Sequence, residues 1–170
     1  MKKLVISSAL SCALSVFAIA NVSAQVQLPE ITVTSTASGS EVSAKVTKAF
    51  SETFKNVKDV RWYEINKRYL VKFIMDDLRN HAVYAKNGHL IYQITYGFEK
   101  NLPMDLSAQV KDKYYSYDIV SAINIKQDGH NAWIVNLEDI RYLLMVRLAD
   151  GDMSEIKRLT KSSPQLDASR

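Results

Sequence analysis

The chain has 170 residues, with 22 Lys and Arg against 18 Asp and Glu and one cysteine. That composition gives no case for a disulfide-stapled scaffold or for a strongly basic nucleic-acid binder. Lys2 and Lys3, the apolar or small run Leu4 to Ala20 and the small residues Val22-Ser23-Ala24 predict a signal peptide over residues 1–24. The run falls short of the ~20 residues a spanning helix needs, and no later segment is apolar enough to span. Cys12 lies inside the apolar run in a poor acylation context, which favours soluble export over a lipid anchor. Without the leader there is no cysteine, hence no thiol catalysis, and the formal charge is 20 − 18 = +2. About 145 residues remain, enough for one domain with a real core.

Residues 25–41, rich in Val, Thr, Ser and Ala without a lasting period, are expected to form a flexible linker. From Ser43 to Phe54, Val46, Ala49, Phe50 and Phe54 recur at helical spacing and predict an amphipathic helix. Four strand-like runs follow at Lys58 to Ile65, Tyr69 to Met75, Asn80 to Ala85 and His89 to Tyr96, all rich in β-branched and aromatic residues. The Asn87-Gly88 dipeptide suits a tight hairpin with left-handed central residues, and Asp76-Asp77 reads as a polar bend.

The pattern then repeats. Leu102-Pro103 precedes a helix carrying Leu106, Val110 and Tyr114, with Pro103 expected in its first turn. Strand-like runs come next at Asp118 to Lys126, Ala132 to Glu138, Arg141 to Leu148 and Met153 to Leu159, with Gln127-Asp128-Gly129 and Asp150-Gly151 at turns. Tyr69 to Phe73 aligns with Trp133 to Leu137, and Asn87 to Leu90 with Asp150 to Met153. A repeat of about 60 residues exceeds a solenoid unit and reads as a tandem duplication inside one domain. Repeat 1 spans 42–98 and repeat 2 spans 102–160, with residues 161–170 expected as a disordered tail.

Chemistry-bearing motifs are missing from the pattern. His81, His89 and His130 are scattered without the clustering a metal site needs, and Asp150-Gly151-Asp152 lacks the rest of a calcium loop. Ser121 and Ser154 lie in strand patterns without nucleophile context. No glycine-rich phosphate loop exists. The expectation is therefore a protein that is not an enzyme and has neither cofactor nor metal.

Aromatics dominate the strands instead. Alternation puts Tyr69, Val71, Phe73 and Met75 on one face and Leu70, Lys72 and Ile74 on the other, so both faces carry apolar groups. If helices cover only one face, exposed aromatics and arginines remain, the raw material of binding hot spots. Trp62, Tyr84, Tyr92 and Tyr142 are the candidate partner-binding residues.

The order of elements behind a signal peptide resembles the β-lactamase-inhibitor-like, PepSY-like periplasmic proteins of Bacteroidota. The resemblance is carried by Ala49-Phe50, Phe54, Val57 to Trp62, Tyr69 to Phe73 and the Lys86-Asn87-Gly88-His89-Leu90 turn. It covers roughly 42–159 and implies an α+β fold: one curved eight-stranded antiparallel sheet with two helices on one face and the other face free. It also implies a periplasmic, non-catalytic protein that binds or inhibits another protein, or alternatively captures a small ligand or peptide in the cell envelope. No segment matches an inhibitory loop, so β-lactamase inhibition itself is not carried over.

Overall fold

The computed structural model describes residues 42–162. The expected signal peptide and linker, and residues 163–170 of the expected tail, lie outside the described residues.

Helix α1 (Ala44–Thr53) starts where Ser43 Oγ accepts a bond from the Val46 amide at 3.4 Å, and it ends at an extended Phe54. It turns Val46 and Phe50 toward the sheet. Four strands follow, β1 (Lys58–Ile65), β2 (Arg68–Met75), β3 (Leu78–Ala85) and β4 (Leu90–Gly97). A 3-10 turn (Glu99–Asn101) leads to α2 (Met104–Lys113), then to β5 (Asp118–Gln127), β6 (His130–Glu138), β7 (Tyr142–Ala149) and β8 (Asp152–Thr160). The eight strands form one antiparallel sheet in sequence order, β1 to β8, so the expected helix-plus-four-strand repeat is present twice in a single sheet.

The hairpins explain why neighbours pair. In the β1–β2, β2–β3, β5–β6 and β7–β8 connections both central residues adopt positive φ: Asn66 and Lys67, Asp76 and Asp77, Asp128 and Gly129, Asp150 and Gly151. That is the arrangement whose twist matches the strands it joins. The β3–β4 connection differs from expectation, because only Gly88 is left-handed there, at φ 92°. Asn87 contributes its side chain instead, Oδ1 accepting from the His89 amide at 3.0 Å. A Cβ on Gly88 would also meet the Lys45 carbonyl oxygen at 3.1 Å, so glycine lets this turn sit against α1.

Two further expectations are corrected. Pro103 is the N-cap of α2, with ψ 141°, and its carbonyl accepts from the Ser107 amide, so it stands just before the first turn instead of in it. Lys161, expected in the disordered tail, is instead tied to the β6–β7 connection, its amide donating to the Arg141 carbonyl and its ammonium to the Asp139 carbonyl at 2.7 Å.

Both helices pack on the same sheet face. Under α1 the core contains Val46, Phe50, Phe54, Tyr69, Val71, Phe73, Ala82 and Tyr84. Under α2 it contains Leu102, Val110, Ala122, Val135, Leu137, Leu144, Val146 and Leu148. Directly paired residues share a face, and the register runs Phe73↔Asn80↔Thr95↔Asn124↔Trp133, which links the two cores on one side. Between them lies a polar seam. Thr95 Oγ1 donates to Asn80 Oδ1 at 2.6 Å, Gln93 Nε2 donates to the same oxygen at 3.1 Å, and Asn124 Nδ2 donates to Asn131 Oδ1 at 2.6 Å. Buried amides are tolerated here because they bond each other.

Phe50 is the hub of the first core, with ring centroids 5.2 Å from both Trp62 and Phe73, each edge-on. Phe73 also packs at 4.7 Å against Phe54, the rings tilted by 48°. Phe73→Ala should therefore cost about 3–5 kcal/mol, seen as a lower urea midpoint with an unchanged slope. A change no larger than that of an exposed alanine substitution would refute this picture of the core.

Candidate functional site: the helix-free sheet face

The second face is assigned by the same register. Across β1–β4, Tyr63, Leu70, Val83 and Tyr92 form one row, and Arg61, Lys72, His81 and Ile94 form the next. A third row starts at Lys58 and Ile74, runs through Arg79 and Tyr96, and continues over β5–β8 as Ile123, Ile134, Arg147 and Ser154. Strands lie about 5 Å apart, and successive same-face rows about 7 Å apart, so these groups form a continuous surface.

Leu70, Val83 and Tyr92 are only 5%, 6% and 4% exposed, yet their apolar partners are the strand residues Tyr63, Ile65, Ile91 and Ile94 and no helix residue. Around them stand half-buried or exposed polar groups. Lys72 Nζ sits 5.0 Å over the Tyr63 ring, and the Arg79 guanidinium 5.7 Å over the Tyr96 ring. His81 Nδ1 is 3.2 Å from the Tyr96 hydroxyl, with the two rings edge-on at 4.9 Å. Over β5–β8 the face is mixed: Ile123, Ile125, Ile134 and Met145 stand on it by register beside Ser121, Asn136, Arg147, Ser154 and Lys157.

The candidate residues chosen by residue type do not come together on this surface. Trp62 packs partly buried on the α1 core, and Tyr142 on the α2 core. Tyr84 is fully buried at 0% exposure, beneath Phe50 and Trp62, so its ring cannot reach a partner in the folded protein. Tyr92 alone faces the helix-free side, and there it is a floor residue. The groups that line that side, Tyr63, Tyr96, Arg61, Lys72 and Arg79, were missed. The signal for them was in the alternation, since Lys72 shares its face with Leu70 and Ile74, and a mid-strand lysine marks the side that stays wet.

Elsewhere, described residues form several depressions at the surface. One lies beside α2 and is lined by Leu106, Gln109, Trp133, Asp150 and Asp152. The buried Trp133 indole N–H has no hydrogen-bond partner. Among the described residues, no group of three or more His, Cys, Asp or Glu is placed to hold a metal, and no helix is long and apolar enough to cross a membrane.

Burial lowers the His81 pKa from its ordinary value, and the Lys72 and Arg79 charges lower it further. Burial raises the Tyr92 and Tyr96 hydroxyls, against the opposing pull of Arg68 and Arg79 respectively. A histidine depressed in the folded state binds its proton more readily when unfolded. Its contribution to stability is therefore complete above the unfolded value of about 6.5 and is lost as pH falls below it. The urea midpoint should drop between about pH 7.5 and pH 5.5, and His81→Gln should flatten that drop. A midpoint equally pH-dependent in both proteins would overturn the assignment.

No protein-family model matches the chain, and no curated protein is similar to it. Solved structures are similar in fold. A BLIP-like protein from Bacteroides fragilis superposes with a TM-score of 0.60 at 14% identity, covering 75% of this chain and 93% of that one. A DUF2874 family protein from Bacteroides uniformis gives 0.56 at 11% identity, covering 69% and 88%. A protein from Bacteroides eggerthii, provisionally described as periplasmic, gives 0.56 at 7% identity, covering 71% and 90%. The chain thus has the fold of the BLIP-like and DUF2874 proteins of Bacteroides, as its sequence motifs led one to expect.

Proposed function

We propose that this chain is an exported, periplasmic, non-catalytic binding protein that engages another protein through the helix-free face of its sheet. The observation that carries the reading is the composition of that face. Tyrosine, isoleucine and arginine are presented from paired strands, with an apolar floor of Leu70, Val83 and Tyr92 beneath them. Rigid aromatic and guanidinium groups around a desolvated floor are what protein-binding hot spots use, because they lose little conformational freedom on binding. The fold shared with a BLIP-like protein agrees with this reading, and the leader at residues 1–24 supplies the route of export. Small-ligand capture ranks second; the groove beside α2, lined by Leu106, Gln109, Trp133 and Asp150, is the place a ligand would be sought.

The test is site-specific photo-crosslinking in cells that naturally express the protein. A photoreactive residue at Tyr96 or Ile134, on the helix-free face, should give one discrete adduct with another protein. The same residue at Lys48, exposed on α1, should give none. Equal adducts from both sides, or none from Tyr96 and Ile134, would sink the proposal.

A further inference from the structure

We infer that the β1–β4 half of the helix-free face receives an acidic segment of the partner protein. This rests on the reading of that face as a protein-binding surface and adds the chemistry of what is bound.

The register places Lys58, Arg61, Arg68, Lys72 and Arg79 on this half of the face. No Asp or Glu that the register pairs in these four strands shares it: Glu64 pairs with Tyr69 on the helix side, where its carboxylate meets the Lys86 ammonium at 3.0 Å, and Asp59 lies unpaired in the β1 bulge between Lys58 and Arg61. Elsewhere some cations are neutralised, Lys48 by Glu52, Lys111 by Glu99, Arg158 by Glu155 and Lys161 by Glu138, while others, among them Lys45, Lys100 and Arg141, enter no ion pair. Among the described residues, none of the five free-face cations enters an ion pair; even Asp76 and Asp77, in the turn preceding β3, do not pair with Arg79. Lys72 and Arg79 rest on tyrosine rings instead. With a formal charge of only +2 after loss of the leader, the protein still sets five cations without ion-pair partners on one half of a face that no described helix covers.

Three features select a carboxylate-bearing protein segment over other polyanions. Leu70, Val83 and Tyr92 lie too deep to insert into a lipid surface. The near balance of charge over the whole chain lacks the broad basic field of nucleic-acid binders. Arginine forks, one of them held over the Tyr96 ring, match carboxylates bidentately, the side-chain chemistry of Glu- and Asp-rich protein surfaces.

The probe is a fluorescein-labelled peptide of alternating glutamate and tyrosine, compared by anisotropy with its glutamine analogue, using the protein purified from the periplasm of the expressing cell. The glutamate peptide should bind, weaken with added salt, and lose about tenfold or more in affinity in Arg61→Glu/Arg79→Glu. Lys48→Glu on α1 should leave binding unchanged, and circular dichroism should show both variants folded. Absence of glutamate-peptide binding up to about 1 mM, equal binding of the glutamine peptide, or an unaffected double variant would overturn the inference. So would tighter binding of phosphatidylglycerol vesicles or of an oligothymidine. If crosslinks from Tyr96 and Ile134 still capture one protein while the peptide fails, the acidic assignment falls and the protein-binding reading stands; if those crosslinks also fail, both fall.

Discussion

The antiparallel pairing of β4 with β5, from Gln93↔Lys126 to Gly97↔Ala122, joins the two repeats into one sheet, and the arrangement of everything else follows from it. Because side chains alternate with a period of two, a slip of one residue in this pairing would send the second repeat's apolar set to the opposite face. With the observed register, Phe73 under α1 and Trp133 under α2 belong to one connected row, so both helices share a face. Among the described residues the other face is then left without a helix from β1 to β8. The full width of the candidate binding surface is a product of this join between repeats, while its apolar floor and its five cations lie on the first repeat.

The covered face is two cores, not one. Phe50 gathers Trp62, Phe73 and Tyr84 edge-on beneath α1, while Val135, Leu137, Leu144 and Val146 gather beneath α2. Between them the face turns polar, and Asn80, Gln93, Thr95, Asn124 and Asn131 satisfy one another at bonds of 2.6 to 3.1 Å. Such a seam is compatible with a duplicated unit in which each copy buries its own helix, and the ends of the helix-covered apolar patches meet over amide side chains. It also fixes the lateral register, since each amide has its partner only in one alignment.

The helix-free face follows a different logic. Its apolar residues are short of a covering layer and pack against their own neighbours, while lysine and arginine lay their stems over tyrosine rings and keep their charges at the surface. An arrangement of this kind holds several large side chains in fixed positions before any partner arrives, which reduces the ordering cost of association. The His81–Tyr96 contact ties β3 to β4 within that surface and couples its state to Lys72 and Arg79.

How much of this was legible in the sequence differs element by element. The strands at Lys58 to Ile65 and Asp118 to Gln127 announce themselves through β-branched and aromatic runs, and Val46 with Phe50 and Phe54 announces α1, because local periodicity is written directly into the chain. The turn at Gly88 was legible as a turn, but not its geometry: Asn87 bonds through its side chain, and Gly88 sits close against the Lys45 carbonyl of α1, a contact with no local sequence signal. The binding candidates fared worst for a related reason. Residue type singled out Trp62, Tyr84 and Tyr142, whose burial depends on which side the helices dock, and no local pattern states that. By itself the sequence determined the elements, their order and the antiparallel meander, since these follow from spacing and short turns. The tertiary structure alone decided which face is covered and which cations stay unpaired, because both depend on residues brought together across strands from distant parts of the chain.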